Sequence, residues 1–196
     1  MTTSMTVADF IASLQREASS GGVAKGPPPV ERWNPPFCGD SFIEILRDGT
    51  WRHEGVRMTR ESLVRLFASI LRKDEDGITY LVTPVEKVSV KVEDAPFLAV
   101  RVDREGAGRD QTIAVTTNMG DVAAVGPDHP LRVETTNGEP RPYVLVRGRL
   151  EARVLRAPFY ELVDWAEEEA TPEGPRLGVW SGGAFFPIGP VGAHLQ

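Results

Sequence analysis

Residues 78–92 read ITYLVTPVEKVSVKV, and this stretch decides the fold class. Its first five residues are mostly strand-forming, and three valines in 88–92 alternate with polar residues. Alternation with a period of two is typical of a strand with one buried face, so the stretch predicts two strands joined at Thr83-Pro84. Asp94-Ala95-Pro96 then breaks the pattern.

Upstream of this stretch, the sequence predicts a hairpin followed by a helix. Asp40–Leu46 has a strand pattern, Asp48-Gly49 is a hairpin turn signal, and Trp51 begins the return strand. We expect Thr59 to cap the helix and the charged run Lys73–Gly77 to mark its end. One face of this helix is apolar and consists of Leu63, Leu66, Phe67, Ile70 and Leu71.

Downstream, the chain is rich in predicted strands separated by turn residues. The predicted strands are Phe97–Val102, Thr112–Thr116, Asp121–Val125, Leu131–Thr135 and Tyr143–Leu155, the last bent or bulged at Gly148. A further helix is expected to start at Pro158 and to end on Glu167-Glu168-Glu169. Because those charges oppose the negative end of the helix dipole, the end should fray or meet a cation. Two apolar segments, Leu177–Trp180 and Ala184–Ile188, close the chain.

The two halves share an apolar pattern that suggests an internal repeat. An offset of 99 residues aligns Gly49 with Gly148 and Arg57 with Arg156 without a gap. Identities are few, and two hydrophobic helices would match by pattern alone, so duplication is one of two interpretations. Under duplication, Thr83-Pro84 and Gly182-Gly183 occupy equivalent bends.

Composition and charge limit the class of protein. The 196 residues carry 22 Lys and Arg against 28 Asp and Glu, a net charge of −6, which argues against coating duplex DNA. A single cysteine, Cys38, excludes an intrachain disulfide and a multi-cysteine zinc site. The start lacks the cationic region of a signal peptide, and the uncharged stretch Leu177–Gln196 contains too many Gly and Pro residues to cross a bilayer. We therefore expect a cytoplasmic protein that does not bind membranes.

Three regions follow from these patterns. Residues 1–29 are expected to form an N-terminal helix, with Val7, Phe10, Ile11, Leu14 and Ala18 on one face, and a Pro/Gly linker. Residues 30–95 form an N-terminal α+β domain, and residues 96–196 a β-rich C-terminal domain.

Catalytic and metal-binding motifs are weak. The three histidines lack ligand spacing, so neither a metal nor a cofactor is expected. Ser181 lacks the leading glycine and following helix of a nucleophile elbow. The sequence thus favours a protein that is not an enzyme. The enzyme alternative would join Glu86 or Asp40 to His53 or Cys38 in one cleft.

Binding residues are better candidates, each with a structural alternative. Arg57 and Lys87 suit phosphate, and Glu86 is a candidate ligand contact beside Lys87, although Glu86 could instead neutralise Lys87. Ser181-Gly182-Gly183 offers backbone N–H groups for an anion or forms a tight bend. Trp180 is either a platform on which a base stacks or a core residue. Asn118 either reads a base edge or caps its own backbone. Thr83 and Thr117 lie at bends and are further candidates for contact with the ligand.

Five ordered blocks resemble one bacterial family. They are WNPPFCG (33–39), DGTWRHEG (48–55), LVTPVEKV (81–88), Thr117-Asn118 and LGVWSGGAFFP (177–187). Together they resemble the domain of unknown function 1285 family across about residues 30–190. The resemblance implies a duplicated core, a pleckstrin-homology-like C-terminal half and a ligand site at the interface between the halves. It also implies signalling through a nucleotide-like or nucleic-acid-derived ligand, without established catalysis.

The resulting expectation is an α+β protein with two β-rich halves, each with a strand–strand–helix–strand core, and an N-terminal helix. Its partner would be a small phosphorylated, nucleotide-like ligand between the halves. The alternatives are a protein-interaction module that presents a sheet edge, or an enzyme with an unrecognised site.

Overall fold

The computed structural model describes residues 28–191. The expected helix at Val7–Ala18 lies outside the described residues. The chain divides into two compact units between Asp94 and Ala95. Both are β-rich and contain one α-helix each among the described residues, which confirms an α+β protein with two β-rich halves.

The first unit is built around one six-stranded sheet. Its strands in chain order are β1 (Phe37–Ile45), β2 (Trp51–His53), β3 (Val56–Arg57), β4 (Leu71–Lys73), β5 (Thr79–Val82) and β6 (Lys87–Val92), with helix α1 (Glu61–Ser69) between β3 and β4. The sheet order is β3-β2-β1-β6-β5-β4, and only the central β1–β6 pair is parallel. Alternate side chains of these strands are buried, among them Ile43, Ile45, Trp51, Leu81, Val88 and Val90.

We call the opposite side of this sheet the outer face; it carries Glu44, Lys91, Tyr80 and Arg72. The Pro28–Pro36 segment covers the β4 end of the outer face. Arg72 fastens it there, because its Nη1 donates to the carbonyls of Val30 (2.8 Å) and Trp33 (2.6 Å).

The second unit contains two sheets. The larger has the order β10-β11-β12-β7-β8-β9, and the smaller is the antiparallel meander β13-β14-β15. Their strands are β7 (Phe97–Glu105), β8 (Thr112–Thr117), β9 (Val122–Ala124), β10 (Leu131–Thr136), β11 (Glu139–Arg147), β12 (Leu150–Val154), β13 (Glu167–Thr171), β14 (Gly174–Ser181) and β15 (Ala184–Pro190), with helix α2 (Arg156–Asp164) between β12 and β13. The core includes Phe97, Ile113, Val115, Val144, Leu150, Leu162, Val179 and Ile188.

Both units repeat one order of elements: a hairpin, a helix and a three-stranded antiparallel meander. β1 to β6 follow this order in the first unit, apart from the added two-residue strand β3, and β11 to β15 follow it in the second. The gapless offset of 99 holds for β5 and β14 but not for the helices, since α1 moved by 99 positions would begin at 160 and α2 begins at Arg156. The duplication is therefore visible in the topology, with a one-turn shift at the helix.

Several local predictions were wrong. The first helix begins at Glu61 after Arg60, with no side-chain cap from Thr59, and ends at Ser69. Ile70 and Leu71 fit a helical face, but Leu71 pairs with Leu81, and this pairing decides the local structure. The stretch Tyr143–Leu155 is two strands, because Gly148 (φ 52°) and Arg149 form a hairpin turn rather than a bend.

The acidic run Glu167-Glu168-Glu169 is also not a helix end. It begins the edge strand β13, because α2 stops at Asp164 and Glu167 pairs with Gly178 of β14. Glu169 nevertheless forms an ion pair with a cation, since its Oε1 lies 2.8 Å from Arg109 Nη2.

Candidate functional site

The Thr83 bend, the first of the predicted binding elements, is a self-contained turn between β5 and β6. The Thr83 hydroxyl is buried; it accepts from the backbone N–H of Glu86 (3.2 Å) and donates to the Glu86 carbonyl (3.2 Å). The backbone N–H of Thr83 donates to that same carbonyl (2.9 Å). Glu86 is itself buried within this turn. The hydroxyl therefore shapes the bend and is not directed at solvent.

Lys87 takes part in an ion-pair cluster on the outer face of the first unit. Its Nζ lies 2.8 Å from Asp74 Oδ2 and 4.4 Å from the centre of the Tyr80 ring. Arg72 Nε lies 2.5 Å from the other oxygen of Asp74. Burial raises the pKa of Asp74, but the hydrogen bonds from Arg72 and Lys87 outweigh it and hold the pKa below its ordinary value. The ion pair that the structure shows for Lys87 is with Asp74.

Tyr80 completes this cluster. Its hydroxyl donates to Asp76 Oδ2 at 2.7 Å, and this hydrogen bond, with burial, raises the pKa of Tyr80 to about 12. The cluster of Arg72, Asp74, Asp76, Tyr80 and Lys87 holds the turn between β4 and β5 and the covering segment in place.

Arg57 lies apart from that cluster. It is exposed on the two-residue edge strand β3, opposite Arg52 of β2. The structure does not bring Arg57 and Lys87 together within the first unit, because β2 and β1 lie between their strands β3 and β6 in the sheet.

Thr117 and Asn118 form the turn between β8 and β9 in the second unit. The buried Thr117 hydroxyl accepts from the backbone N–H groups of Met119 (3.3 Å) and Asp121 (3.1 Å). Asn118 Oδ1 accepts from Leu98 N–H (3.0 Å), and the Asn118 N–H donates to the Leu98 carbonyl (2.8 Å). The side-chain oxygen Oδ1 of Asn118 is therefore used in a hydrogen bond within the second unit.

Ser181-Gly182-Gly183 forms the tight turn of the β14–β15 hairpin. Ser181 is fully buried; its hydroxyl accepts from Ile113 N–H (2.9 Å) and donates to the Val125 carbonyl (2.7 Å). Gly182 and Gly183 both have positive φ (56° and 77°), which favours glycine at both turn positions. The Gly182 N–H donates to the Gln111 carbonyl (3.2 Å), so this donor ties the hairpin to the segment before β8 and is not open to an anion.

Trp180 is a predicted site residue of the second unit whose side chain faces outward. It lies between the buried Val179 and Ser181 and is half-buried, so its ring lies on the opposite side of the β13–β15 sheet. The Arg109 guanidinium carbon is 4.7 Å from the centre of the Trp180 ring, and the Phe185 ring is 5.5 Å away at an interplanar angle of 52°. We call Trp180, Phe185, Arg109 and Glu169 the Trp180 platform.

Glu169 orients the guanidinium of this platform. Arg109 Nη2 lies 2.8 Å and 2.9 Å from the two carboxylate oxygens of Glu169. The Arg109 side chain is still 65% exposed, and its other N–H donors make no hydrogen bond to the described residues. A guanidinium held over a tryptophan ring offers a further surface on which a planar group can stack.

Two buried polar atoms adjoin the platform without a hydrogen-bond partner in the described part of the chain. They are the indole Nε1 of Trp180 and Oε1 of Gln111. Gln111 is 2% exposed, and its amide nitrogen donates to the Trp180 carbonyl (2.8 Å). Unsatisfied buried polar atoms are rare and call for an explanation such as a bound group.

The sequence missed most of this platform. Arg109 and Gln111 follow a Gly-rich turn and carry no motif, and Phe185 resembles any apolar strand residue. The one available signal was the acidic run that contains Glu169, for which a cationic partner was expected.

The described residues form no cluster suited to a metal ion. Within residues 28–191, no group of three or more His, Cys, Asp or Glu side chains could hold a metal ion. Asp40 accepts a hydrogen bond from Phe42 N–H (2.6 Å), and the exposed Cys38 lies near the Pro36 carbonyl. Over the same range, no helix is long and apolar enough to cross a bilayer. The pocket expected between the two halves stays a prediction.

Comparisons with known proteins identify the family. The family model for the N-terminal domain of the domain of unknown function DUF1285 matches residues 28–95, and the model for the DUF1285 C-terminal domain matches residues 96–188. No curated protein matches the chain.

Two solved structures are similar. A DUF1285 family protein from Silicibacter pomeroyi DSS-3 is 47% identical, with a TM-score of 0.81 over 91% of this chain and 95% of that chain. A DUF1285 family protein from Shewanella baltica OS155 is 31% identical, with a TM-score of 0.48 over 63% of this chain and 91% of that chain. By both domain matches and by the 47% identity to the Silicibacter pomeroyi protein, the chain belongs to the DUF1285 family.

Proposed function

We propose that the protein is a non-catalytic binding module that takes a planar, phosphorylated, nucleotide-like ligand on the Trp180 platform of its second unit. Two observations carry this proposal: the buried indole N–H of Trp180 has no hydrogen-bond partner among the described residues, and the exposed Arg109 guanidinium lies over the same ring. Such an arrangement costs stability unless a ligand uses it, because an unsatisfied buried donor is unfavourable.

Each chemical group of the platform matches a part of a nucleotide. The flat surfaces of Arg109 and Phe185 suit a nucleobase, which stacks on aromatic rings and on guanidinium planes. The N–H donors of Arg109 that Glu169 leaves open suit phosphate oxygens. Glu169 balances the charge of Arg109, so affinity would come mainly from stacking.

The polar residues at the bends stabilise the scaffold of this site, and we do not assign them contacts with the ligand. Thr117, Asn118, Ser181 and Gly182 use their hydrogen-bonding groups within the second unit, and Ser181 ties β14 to β8 directly below Trp180. We therefore assign ligand contact to Trp180 and its neighbours, and positioning to Ser181 and Gly182.

The proposed fold of the second unit is pleckstrin-homology-like. Two observations support this fold: residues 95–191 form two sheets and a single α-helix, and the sequence resembles the family. The proposed cytoplasmic signalling role rests on what the resemblance in the sequence implies.

The alternative of partner binding through a sheet edge has less support. The edge strands β3 and β9 have two and three residues, and the edge strand β13 begins with three glutamates. Short and charged edges are how natural sheets avoid pairing with other chains.

Calorimetric titration with AMP, GMP, CMP and UMP tests the proposal. We expect heat of binding with at least one of them. Replacing Trp180 by Ala is expected to weaken that binding by about tenfold to a hundredfold, because stacking contributes ~1–3 kcal/mol per base. Trp180→Phe should retain most of the affinity.

Trp165→Ala is the matched control, because the Arg104 guanidinium also stacks on that ring, at 5.0 Å. It is expected to bind as the unchanged protein does. Absence of heat with all four nucleotides from folded protein, or equal affinity in the Trp180→Ala variant, would contradict the proposal.

A further inference from the structure

Two arginines face each other on the hairpin at one edge of the first sheet. Arg52 of β2 pairs directly with Arg57 of β3, and both side chains are exposed. Side chains at directly opposed positions of an antiparallel pair project from the same face of the sheet. Arg52 is also directly opposite Glu44 of β1, so both arginines lie on the outer face of the first unit.

The hairpin brings the two arginine side chains close together. The Met58 N–H donates to the Trp51 carbonyl (2.9 Å), so the next pair along the hairpin, Arg52 with Arg57, occupies a position without backbone hydrogen bonds. At such positions the two Cα atoms are only ~4.5 Å apart. Like charges directly opposite each other on neighbouring strands are destabilising. The stability of the fold therefore does not explain this pair.

The nearby carboxylates leave both guanidiniums available. Neither guanidinium forms a hydrogen bond or an ion pair with another described residue. Glu44 forms its ion pair with Lys91 (2.7 Å), and the pKa of Glu44 is lowered mainly by that hydrogen bond and least by the charge of Arg52. The pKa of Asp48 is lowered mainly by a hydrogen bond from the backbone of its own turn, and least by the charge of Arg57.

The phosphate group of a phosphomonoester matches this pair of arginines. Such a group carries nearly two negative charges at neutral pH and has three terminal oxygens that accept hydrogen bonds. A guanidinium donates two parallel N–H groups to a phosphate, so two guanidiniums on adjacent strands can hold one phosphate group between them. Because both side chains are exposed, the group reaches them without displacing other described residues.

We propose that Arg52 and Arg57 form a phosphate clamp on the outer face of the first unit, which binds the phosphate group of a phosphomonoester. The ester is either a phosphorylated side chain of another protein or a free small molecule, since both present the same group. The phosphate clamp lies in a different unit from the Trp180 platform and does not depend on the function proposed for that platform.

Calorimetric titration with O-phosphoserine tests the phosphate clamp, because this phosphomonoester has no ring that could stack on Trp180. We expect saturable binding to the unchanged protein and equal affinity in the Trp180→Ala variant. Arg52→Gln and Arg57→Gln are each expected to weaken binding by about tenfold to a hundredfold, because each removes hydrogen bonds from a charged donor. Arg57→Lys should restore only part of the affinity, because an ammonium group lacks the two parallel donors.

Two comparisons separate the phosphate clamp from a general charge effect and from a structural role. Arg101→Gln makes the same change in net charge at an exposed arginine of the second unit and is expected to leave the affinity unchanged. In phosphate-free buffer, Arg57→Gln should be at least as resistant to urea as the unchanged protein, because the substitution removes a contact between like charges. Lower stability of Arg57→Gln at unchanged affinity would overturn the proposal and assign the pair to the fold.

A peptide with a single phosphoserine among glycines identifies the source of the phosphate. Binding of this peptide about tenfold or more tighter than that of O-phosphoserine would assign the phosphate clamp to a phosphorylated protein, and equal affinity would assign it to a free small ester. The unphosphorylated peptide is expected not to bind. Absence of binding by both phosphorylated probes to folded protein, or equal affinity in Arg52→Gln, Arg57→Gln and the unchanged protein, would overturn the proposal.

Discussion

At the scale of single residues, most polar side chains singled out in the sequence serve the fold. Thr83, Thr117 and Ser181 each direct a hydroxyl at the backbone of a turn or neighbouring strand. Polar residues at bends look the same in a sequence whether they bind a ligand or their own backbone, since both uses need short side chains and glycines. Only the hydrogen-bond partners distinguish the two.

Ser181→Ala tests the structural role of this serine. The substitution leaves the Ile113 N–H and the Val125 carbonyl buried without their shared partner. We expect the free energy of unfolding in urea to fall by about 2–4 kcal/mol, the cost of two unsatisfied buried groups. Thr112→Ala, at an exposed position of the neighbouring strand, is the control and should cost less than about 0.5 kcal/mol. Loss of nucleotide binding at unchanged stability would assign Ser181 to the ligand instead.

Gly178→Ala tests how the platform is packed. A Cβ on Gly178 would lie 2.5 Å from both the Phe185 ring and the Phe186 carbonyl, so the ring that flanks Trp180 would have to move. We expect a destabilisation of about 1–3 kcal/mol together with weaker nucleotide binding. Gly189→Ala in β15 meets nothing within 4 Å and is the control. Equal stability of the two variants would show that Phe185 is free to shift.

At the scale of elements, the buried ion pairs around Asp74 join three parts of the first unit. They connect β4, the start of β6 and the Pro28–Pro36 segment through Arg72 and Lys87. Because the pKa of Asp74 in the folded protein lies below its ordinary value of 3.8, its stabilisation is complete above about pH 4. It is lost as the pH falls through the lowered pKa.

Asp74→Asn is therefore expected to destabilise the protein at pH 7 but progressively less below pH 4. The measurement is the free energy of unfolding in urea at pH 7, 4 and 3, compared with the unchanged protein. Asp103→Asn is the matched control, because the Asp103–Arg101 pair (2.8 Å) is largely exposed and should contribute less than about 1 kcal/mol at each pH. A difference for Asp74→Asn that stays constant from pH 7 to pH 3 would contradict this account.

The elements themselves were predictable wherever one physical signal dominated. The alternation in β6, the Asp48-Gly49 turn and the Gly182-Gly183 hairpin lie where the sequence predicted them. The strand β4 was missed because Ile70 and Leu71 fit a helical period equally well, and only pairing with β5 decides between them. The Trp180 platform could not be predicted, since Arg109, Glu169 and Trp180 come together only through the pairing of β13 with β14 and the turn before β8.

At the scale of the whole molecule, the charge balance limits the partners. The protein has a net charge of −6, and several arginines of the described residues pair with neighbouring carboxylates, which disfavours binding to a phosphate backbone. We therefore expect no measurable binding to a 20-base-pair DNA duplex at about 0.15 M salt. Fluorescence anisotropy of a labelled duplex is the measurement, and saturable binding under these conditions would show that single nucleotides are not the natural ligand class.

The central claim is that a planar ligand contacts Trp180 and uses its buried indole N–H. Nitrogen-15 correlation spectra resolve the indole N–H signals of the four tryptophans, which are Trp33, Trp51, Trp165 and Trp180. The signal of Trp180 is identified as the one that is missing from the spectrum of the Trp180→Phe variant. On titration with the nucleotide that gives the largest heat, we predict that the Trp180 signal shifts in a saturable way while those of Trp51 and Trp165 stay in place. A stationary Trp180 signal at saturating nucleotide would contradict the account.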